Sequence, residues 1–207
     1  MIARRAQFLT NYQNHDYAQQ YVDFIHRIRT AESSLESEKF SRATAQSLYR
    51  LMAYKDEYEV ARLYTDGHFM RRLQQEFSGK VKLQFHLAPP LLSRKDPQTG
   101  KLKKMTFGPW VFKAFHVLAK MKKLRGTRWD IFGYTAERKM ERQLIQQFKM
   151  TIEKMLSNLN SNNLDFATKI SEKFQHIRGF GHVKLKNYQE VMESVDKLLT
   201  EFNKRLN

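Results

Sequence analysis

The apolar residues of this chain recur at steps of three and four along most of its length, and alternate at a step of two in one stretch near the middle. That patterning predicts helices at both ends and a strand between them. Tyr17, Tyr21, Phe24, Ile25 and Ile28 draw one stripe, with Asp16 as its expected N-cap. A polar run over 32–39 ends it, and Leu48, Leu51 and Met52 mark a second helix beginning near Ser41. Asp56 is placed to cap a short helix through Val60, Leu63 and Tyr64 that ends at Gly67, and Phe69 to Phe77 continue as another. Val81, Leu83, Phe85 and Leu87 then alternate with Lys82, Gln84 and His86, as on a strand with one buried face. Pro89 and Pro90 stop it, and the turn chemistry of 96–100 predicts a hairpin between about Leu92 and Met105.

Gly108 and Pro109 open a further helix and Gly126 closes it. Trp110, Val111, Phe112, Phe115, Val117, Leu118 and Met121 leave it little polar face, so much of it is expected to be buried, with His116 a core histidine. Behind Thr135, the stripe Met140, Leu144, Phe148, Ile152, Met155 and Leu159 predicts a long helix. Tyr188, Val191, Val195, Leu198 and Phe202 predict the last, at a spacing too short-lived to demand a coiled coil. The expected fold is mainly α with a small antiparallel β-hairpin (α+β), about eight helices in a single domain over 1–207. A length of 207 residues suffices for one core with room for two lobes.

The charge balance constrains partners. Against 21 Asp and Glu stand 37 Lys and Arg, a formal net charge of +16. Such a surplus attracts polyanions and speeds encounters with acidic partners. The basic clusters are short and separate: Arg71 with Arg72, then Lys101, Lys103 and Lys104, then 120–128. No helix-turn-helix, zinc finger or base-stacking sheet accompanies them, so nucleic acid is the less favoured partner. The sequence contains no cysteine, which excludes disulfides and thiolate metal sites and suits a reducing compartment. No apolar run approaches the roughly 18 residues needed to span a bilayer, so a cytoplasmic protein without membrane contact is expected.

Five dense stretches are more than composition alone would produce, KDEYEVARLYTDG (55–67), FHLAPPLL (85–92), FGPW (107–110), FGYTAER (132–138) and IRGFGHVK (177–184), and the opening RAQFLTNYQ (5–13) goes with them. In this order they resemble the C-terminal domain of the fused indolepyruvate ferredoxin oxidoreductases, a branch of the 2-oxoacid ferredoxin oxidoreductase family, from about Arg4 to about Asn187. The resemblance implies an upstream catalytic portion as partner, ferredoxin as a second, and thiamine diphosphate, magnesium, iron–sulfur clusters and coenzyme A for the complete enzyme. No Gly-Asp-Gly diphosphate motif occurs, and clusters need cysteine thiolates. This chain is therefore expected to be a non-catalytic portion with no cofactor or metal of its own. The expected role is bracing of the catalytic domains, with contact to coenzyme A or ferredoxin.

Two groups of residues stand out as candidate sites. Gly179 and Gly181 allow a backbone concavity at the head of the last helix, where Arg178, His182 and Lys184 would add charge for a phosphate or carboxylate; the bland alternative is a turn between two helices. A third glycine is missing and a helix precedes, so no dinucleotide fold is implied. Asp56, Glu57, Glu59, Arg62 and Asp66 form the second group, with acid–base work and plain helix ion pairs as the competing readings. Asp56, Arg62, His86 and Arg138 are expected to share one surface with Arg178 and His182. The seven histidines show no helical ligand pair, so a metal at His176 and His182 is weakly supported.

Overall fold

A computed structural model describes residues 1–79, 82–87 and 103–205. In chain order the elements are α1 (Ile2–Tyr12), α2 (His15–Glu32), α3 (Lys39–Met52), α4 (Glu57–Thr65), α5 (His68–Glu76), β1 (Phe85–Leu87), β2 (Met105–Phe107), α6 (Val111–Lys120), α7 (Ala136–Leu156), α8 (Leu164–Lys173) and α9 (Gly181–Asn203). The fold is α+β and mainly helical, as expected from the periodicity. It divides into two compact units: one made of 1–54 and 139–207, the other of 55–138.

The first unit is a helical assembly around a single apolar core. Tyr21, Phe24, Ile25 and Ile28 from α2, Leu48, Leu51 and Met52 from α3, Leu144, Phe148, Ile152 and Met155 from α7, and Val191, Val195 and Phe202 from α9 all enter it. The expected stripes are therefore the buried faces. Polar groups finish what apolar contact cannot. Asn14, rather than Asp16, caps α2, its side chain accepting from the Tyr17 amide at 2.8 Å; Asp16 sits in the first turn, where the helix dipole favours it. Glu32 is fully buried at the end of α2 and accepts from the Phe40 and Ser41 amides at 2.8 and 2.7 Å. It thereby serves as a remote cap for α3 across the 3-10 turn that closes α2. At the other end of α3, the Tyr17 and Tyr12 hydroxyls donate to the Met52 and Tyr54 carbonyls at 3.0 and 2.8 Å. Small residues bring α3 close to α8, where Ser47 donates to the Ser171 carbonyl at 2.7 Å and Ser171 to Thr44 Oγ1 at 3.1 Å.

The second unit has a much smaller apolar centre. Ala61, Phe85, Val111 and Phe115 are its buried members. Tyr64 of α4 stacks on Phe115 at 5.4 Å and meets Phe85 edge-on at 5.4 Å, while Phe85 and Phe115 meet edge-on at 5.5 Å. β1 and β2 pair antiparallel with Phe85 opposite Phe107 and Leu87 opposite Met105. The expected turn at 96–100 lies outside the described residues, as do Val81, Pro89 and Pro90. The pairing itself joins Phe85–Leu87 to Met105–Phe107, so it begins before the expected hairpin span of about Leu92 to Met105 and runs past its end.

Helix α6 differs from expectation. Val111 and Phe115 are its buried residues, whereas Trp110 and Val117 are each 62% exposed and His116 is exposed, its Nδ1 2.9 Å from the Phe112 carbonyl. A helix apolar on every side needs neighbours on every side. The core of this unit covers the face of Val111 and Phe115 and leaves Trp110 and Val117 in solvent.

Candidate functional site

The acidic group of 55–67 is the root of a buried ionic network within the second unit. Asp56 caps α4 by accepting from the Glu59 amide at 2.8 Å. The same carboxylate is gripped by the Arg125 guanidinium, Nε to Oδ2 at 2.5 Å and Nη2 to Oδ1 at 2.8 Å. Arg125 lies beside the Tyr58 ring, 5.5 Å from its centroid. The Tyr58 hydroxyl donates to Asp130 Oδ1 at 3.1 Å, and Asp130 also accepts from the Gly133 and Gly126 amides at 3.0 and 2.7 Å. Gly126 occupies a left-handed turn, φ 78°, which lets its amide reach inward. Burial pushes the Tyr58 phenol well above its ordinary value, and the adjacent Asp130 carboxylate adds to the rise.

Two further pairs complete the network. Arg62 holds Glu59 bidentately, both contacts at 2.8 Å, and reaches Asp66 at 3.8 Å. Arg138 reaches back over 81 residues to Glu57, with contacts of 3.3 and 3.2 Å. Lys122 lies close enough for burial, then the Arg62 and Arg125 charges, to lower its pKa. Asp56, Arg62 and Arg138 are thus brought into one electrostatic neighbourhood. His86 is instead exposed on β1, its Nδ1 3.1 Å from Thr106 Oγ1. Arg178 and His182 belong to the other unit.

This network accounts for the acidic group without chemistry. Each carboxylate accepts from a guanidinium or from backbone and phenol donors, and Asp56, Glu59, Arg125, Asp130 and Arg138 are all buried. Sequence reasoning missed Arg125 and Asp130. Arg125 was counted with the basic cluster 120–128, and its turn inward was signalled only by the helix-ending Gly126 beside it. Among the described residues no three His, Asp or Glu are placed to hold a metal.

Several large apolar residues of this unit stand outward. Trp110 and Trp129 are 62% and 64% exposed, and Ile131 and Tyr134 50% and 61%. Arg128 lies over the Trp129 ring at 5.3 Å, while Lys103, Lys104, Lys113, Lys120 and Lys123 are exposed.

The loop of 177–184 takes a different form from the expected anion cradle. Gly179 and Gly181 have φ of 101° and 54°, so both glycines are required by the turn. A Cβ on Gly179 would also come within 2.9 Å of Val183. Asn187 clasps the turn by donating to the Arg178 carbonyl at 2.7 Å. Lys184 is buried and donates to Glu141 at 2.5 Å, so its charge is already met and it cannot serve an incoming anion. Arg178 and His182 remain exposed, next to exposed Phe180, Val183 and Leu185.

Residues 1–197 match a family of unknown function, DUF6537. The chain belongs to that family. The matched span runs through both units. No curated protein and no solved structure matches the chain. Among the described residues of this DUF6537 member, no helix is long and apolar enough to cross a membrane.

Proposed function

We propose that this chain is the non-catalytic C-terminal portion of a cytoplasmic indolepyruvate (2-oxoacid) ferredoxin oxidoreductase, bracing the upstream catalytic portion. One observation carries the reading. Glu57, Glu59, Arg62 and Arg138 of the 55–67 and 132–138 stretches are held in shielded ion pairs, as is Asp56, whereas Trp110 and Tyr134 of the family-like stretches and neighbouring Trp129 stand in solvent. An acid–base site needs the reverse arrangement, with titratable groups open to substrate. A docking face needs rigid aromatic anchors, which Trp110, Trp129 and Tyr134 supply. The exposed lysines of the same unit suit an acidic ferredoxin. Contact with coenzyme A at the 177–184 loop would rest on Arg178 and His182 alone.

The same lysines and tryptophans favour one second reading, phosphate contact and base stacking on single-stranded nucleic acid. Binding to the catalytic portion separates the two. Under the first reading the chain binds it saturably and a catalytic portion lacking the chain loses activity or stability. Under the second the chain instead binds oligonucleotides with a steep salt dependence.

A further inference from the structure

Arg62, Arg125 and Arg138 are shielded from solvent and each meets a carboxylate. Arg5 of α1 is half-buried and meets none among the described residues. Its guanidinium lies over the Tyr49 ring, 5.4 Å from the centroid. Its Nη1 is closed off from solvent and has no hydrogen-bond partner. Removing a guanidinium from water without a counter-charge is a costly arrangement for a fold to keep.

The surroundings repeat the imbalance. Arg5 lines an open cavity of about 870 Å³ together with Arg4, Gln7, Phe8, Asn11 and Tyr49. No carboxylate contributes to that lining, and α1 contains none. A second groove on the same unit offers a contrast. There Arg29 and Arg42 both meet Glu38, at 2.7 and 3.1 Å, so that groove holds a carboxylate among its guanidiniums. The α1 cavity falls within the size range of small-molecule sites. Its two guanidiniums without an acid match the two charges of a phosphate monoester better than the single charge of a carboxylate. Phe8 and Tyr49, edge-on at 5.5 Å, give it an apolar flank for the organic part. The cavity is also lined by Arg5, Gln7, Phe8 and Asn11 of the 5–13 stretch, whose Leu9 and Tyr12 belong instead to the interior.

We infer that the α1 cavity binds a phosphate monoester of a small molecule, with Arg5 as the inner anchor, Arg4 as the outer clamp and the Phe8–Tyr49 pair against the organic group. Nothing in this inference depends on the chain serving an oxidoreductase.

Calorimetry on the full chain at low salt tests it, with adenosine 5′-monophosphate, inorganic phosphate and acetate as probes. Adenosine 5′-monophosphate should bind one to one, inorganic phosphate should compete more weakly, and acetate should not compete. Arg5→Met should weaken binding roughly a hundredfold and Arg4→Met about tenfold. Arg5→Lys should restore part of the loss, and Arg128→Met should change nothing. The nucleotide should raise the melting temperature of the native chain and not that of Arg5→Met. If Arg5→Met does not fold, the Arg4→Met and Arg5→Lys affinities decide the matter in its place. Absence of saturable binding by either phosphate compound, or binding unchanged in the Arg4 and Arg5 variants, would overturn the inference.

Discussion

In the unit formed by 1–54 and 139–207, the interior is a continuous field of Leu, Ile, Phe and Tyr side chains, among them Leu9, Phe40, Phe148, Phe174 and Phe202. Among the described residues of the unit formed by 55–138, six apolar residues are buried beside five buried charged ones, and the tryptophans stand outside. The first unit follows the ordinary rule that apolar area leaves water. The second places part of its apolar area where another surface could cover it and holds its own chain together with directional ion pairs. A buried ion pair adds little net stability compared with a hydrophobic replacement, but it fixes geometry and is costly to break from one side. That is a suitable design for a segment that must present a fixed face rather than maximise its own core.

The contrast is broken most forcefully from the ionic side. Arg125→Met strands the Asp56 carboxylate in the interior and should destabilise the 55–138 unit by about 3–5 kcal/mol. Hydrogen exchange should show protection lost across α4 and α6 first and retained in α3 and α8. Adding Asp56→Asn should recover much of the loss. If the double variant is no better than the single one, the network is not what holds this unit.

A comparable blow from the apolar side should fall on the other unit. Phe148 is fully buried and meets Phe174 edge-on at 4.8 Å, so Phe148→Ala should cost about 3–5 kcal/mol. Protection should then fail in α3, α8 and α9. A response confined to 55–138 would contradict the division of labour.

A smaller effect sharpens the comparison through pH. Tyr58 has a raised pKa, so its neutral hydroxyl form favours the folded state. Its contribution is complete below the ordinary phenol value of about 10 and is lost as pH rises through the higher folded value. Tyr58→Phe should cost about 1 kcal/mol at neutral pH and remove the Tyr58 share of the alkaline loss. Tyr21, also raised by burial, is in the other unit and provides the control, since its alkaline response should persist in the variant. Equilibrium unfolding between pH 8 and 11, within the approximate window set by the phenol value, checks both.

The comparison also explains what could be read from the sequence. The long stripes of α2, α7 and α9 were legible because a one-sided apolar core imposes a helical period on every segment that lines it. The local pairs were legible too: Asp56 as cap and Glu59 with Arg62 need only three-residue arithmetic. Arg125 with Asp56 and Arg138 with Glu57 join residues 69 and 81 positions apart, and no local rule announces such partners. Lys184 was misread for the same reason, because its partner Glu141 lies 43 residues away on another helix. In α6, composition suggested burial, but exposure depends on how much core is available nearby, and a period count carries no information about that.

The central claim is that Trp110 and Trp129 are exposed to serve a partner rather than to stabilise their own unit. Replacing both with Ser should change the stability of the chain by only about 0.5 kcal/mol per site, as for surface positions elsewhere. The measurement that tests the claim most directly is calorimetric titration of the native chain and this double variant into the separately prepared catalytic portion of the proposed oxidoreductase. The account predicts saturable binding by the native chain and at least roughly a tenfold loss for the variant, the scale set by exposed aromatic anchors. Equal affinities for the two proteins, or no binding by either at low salt, would contradict it.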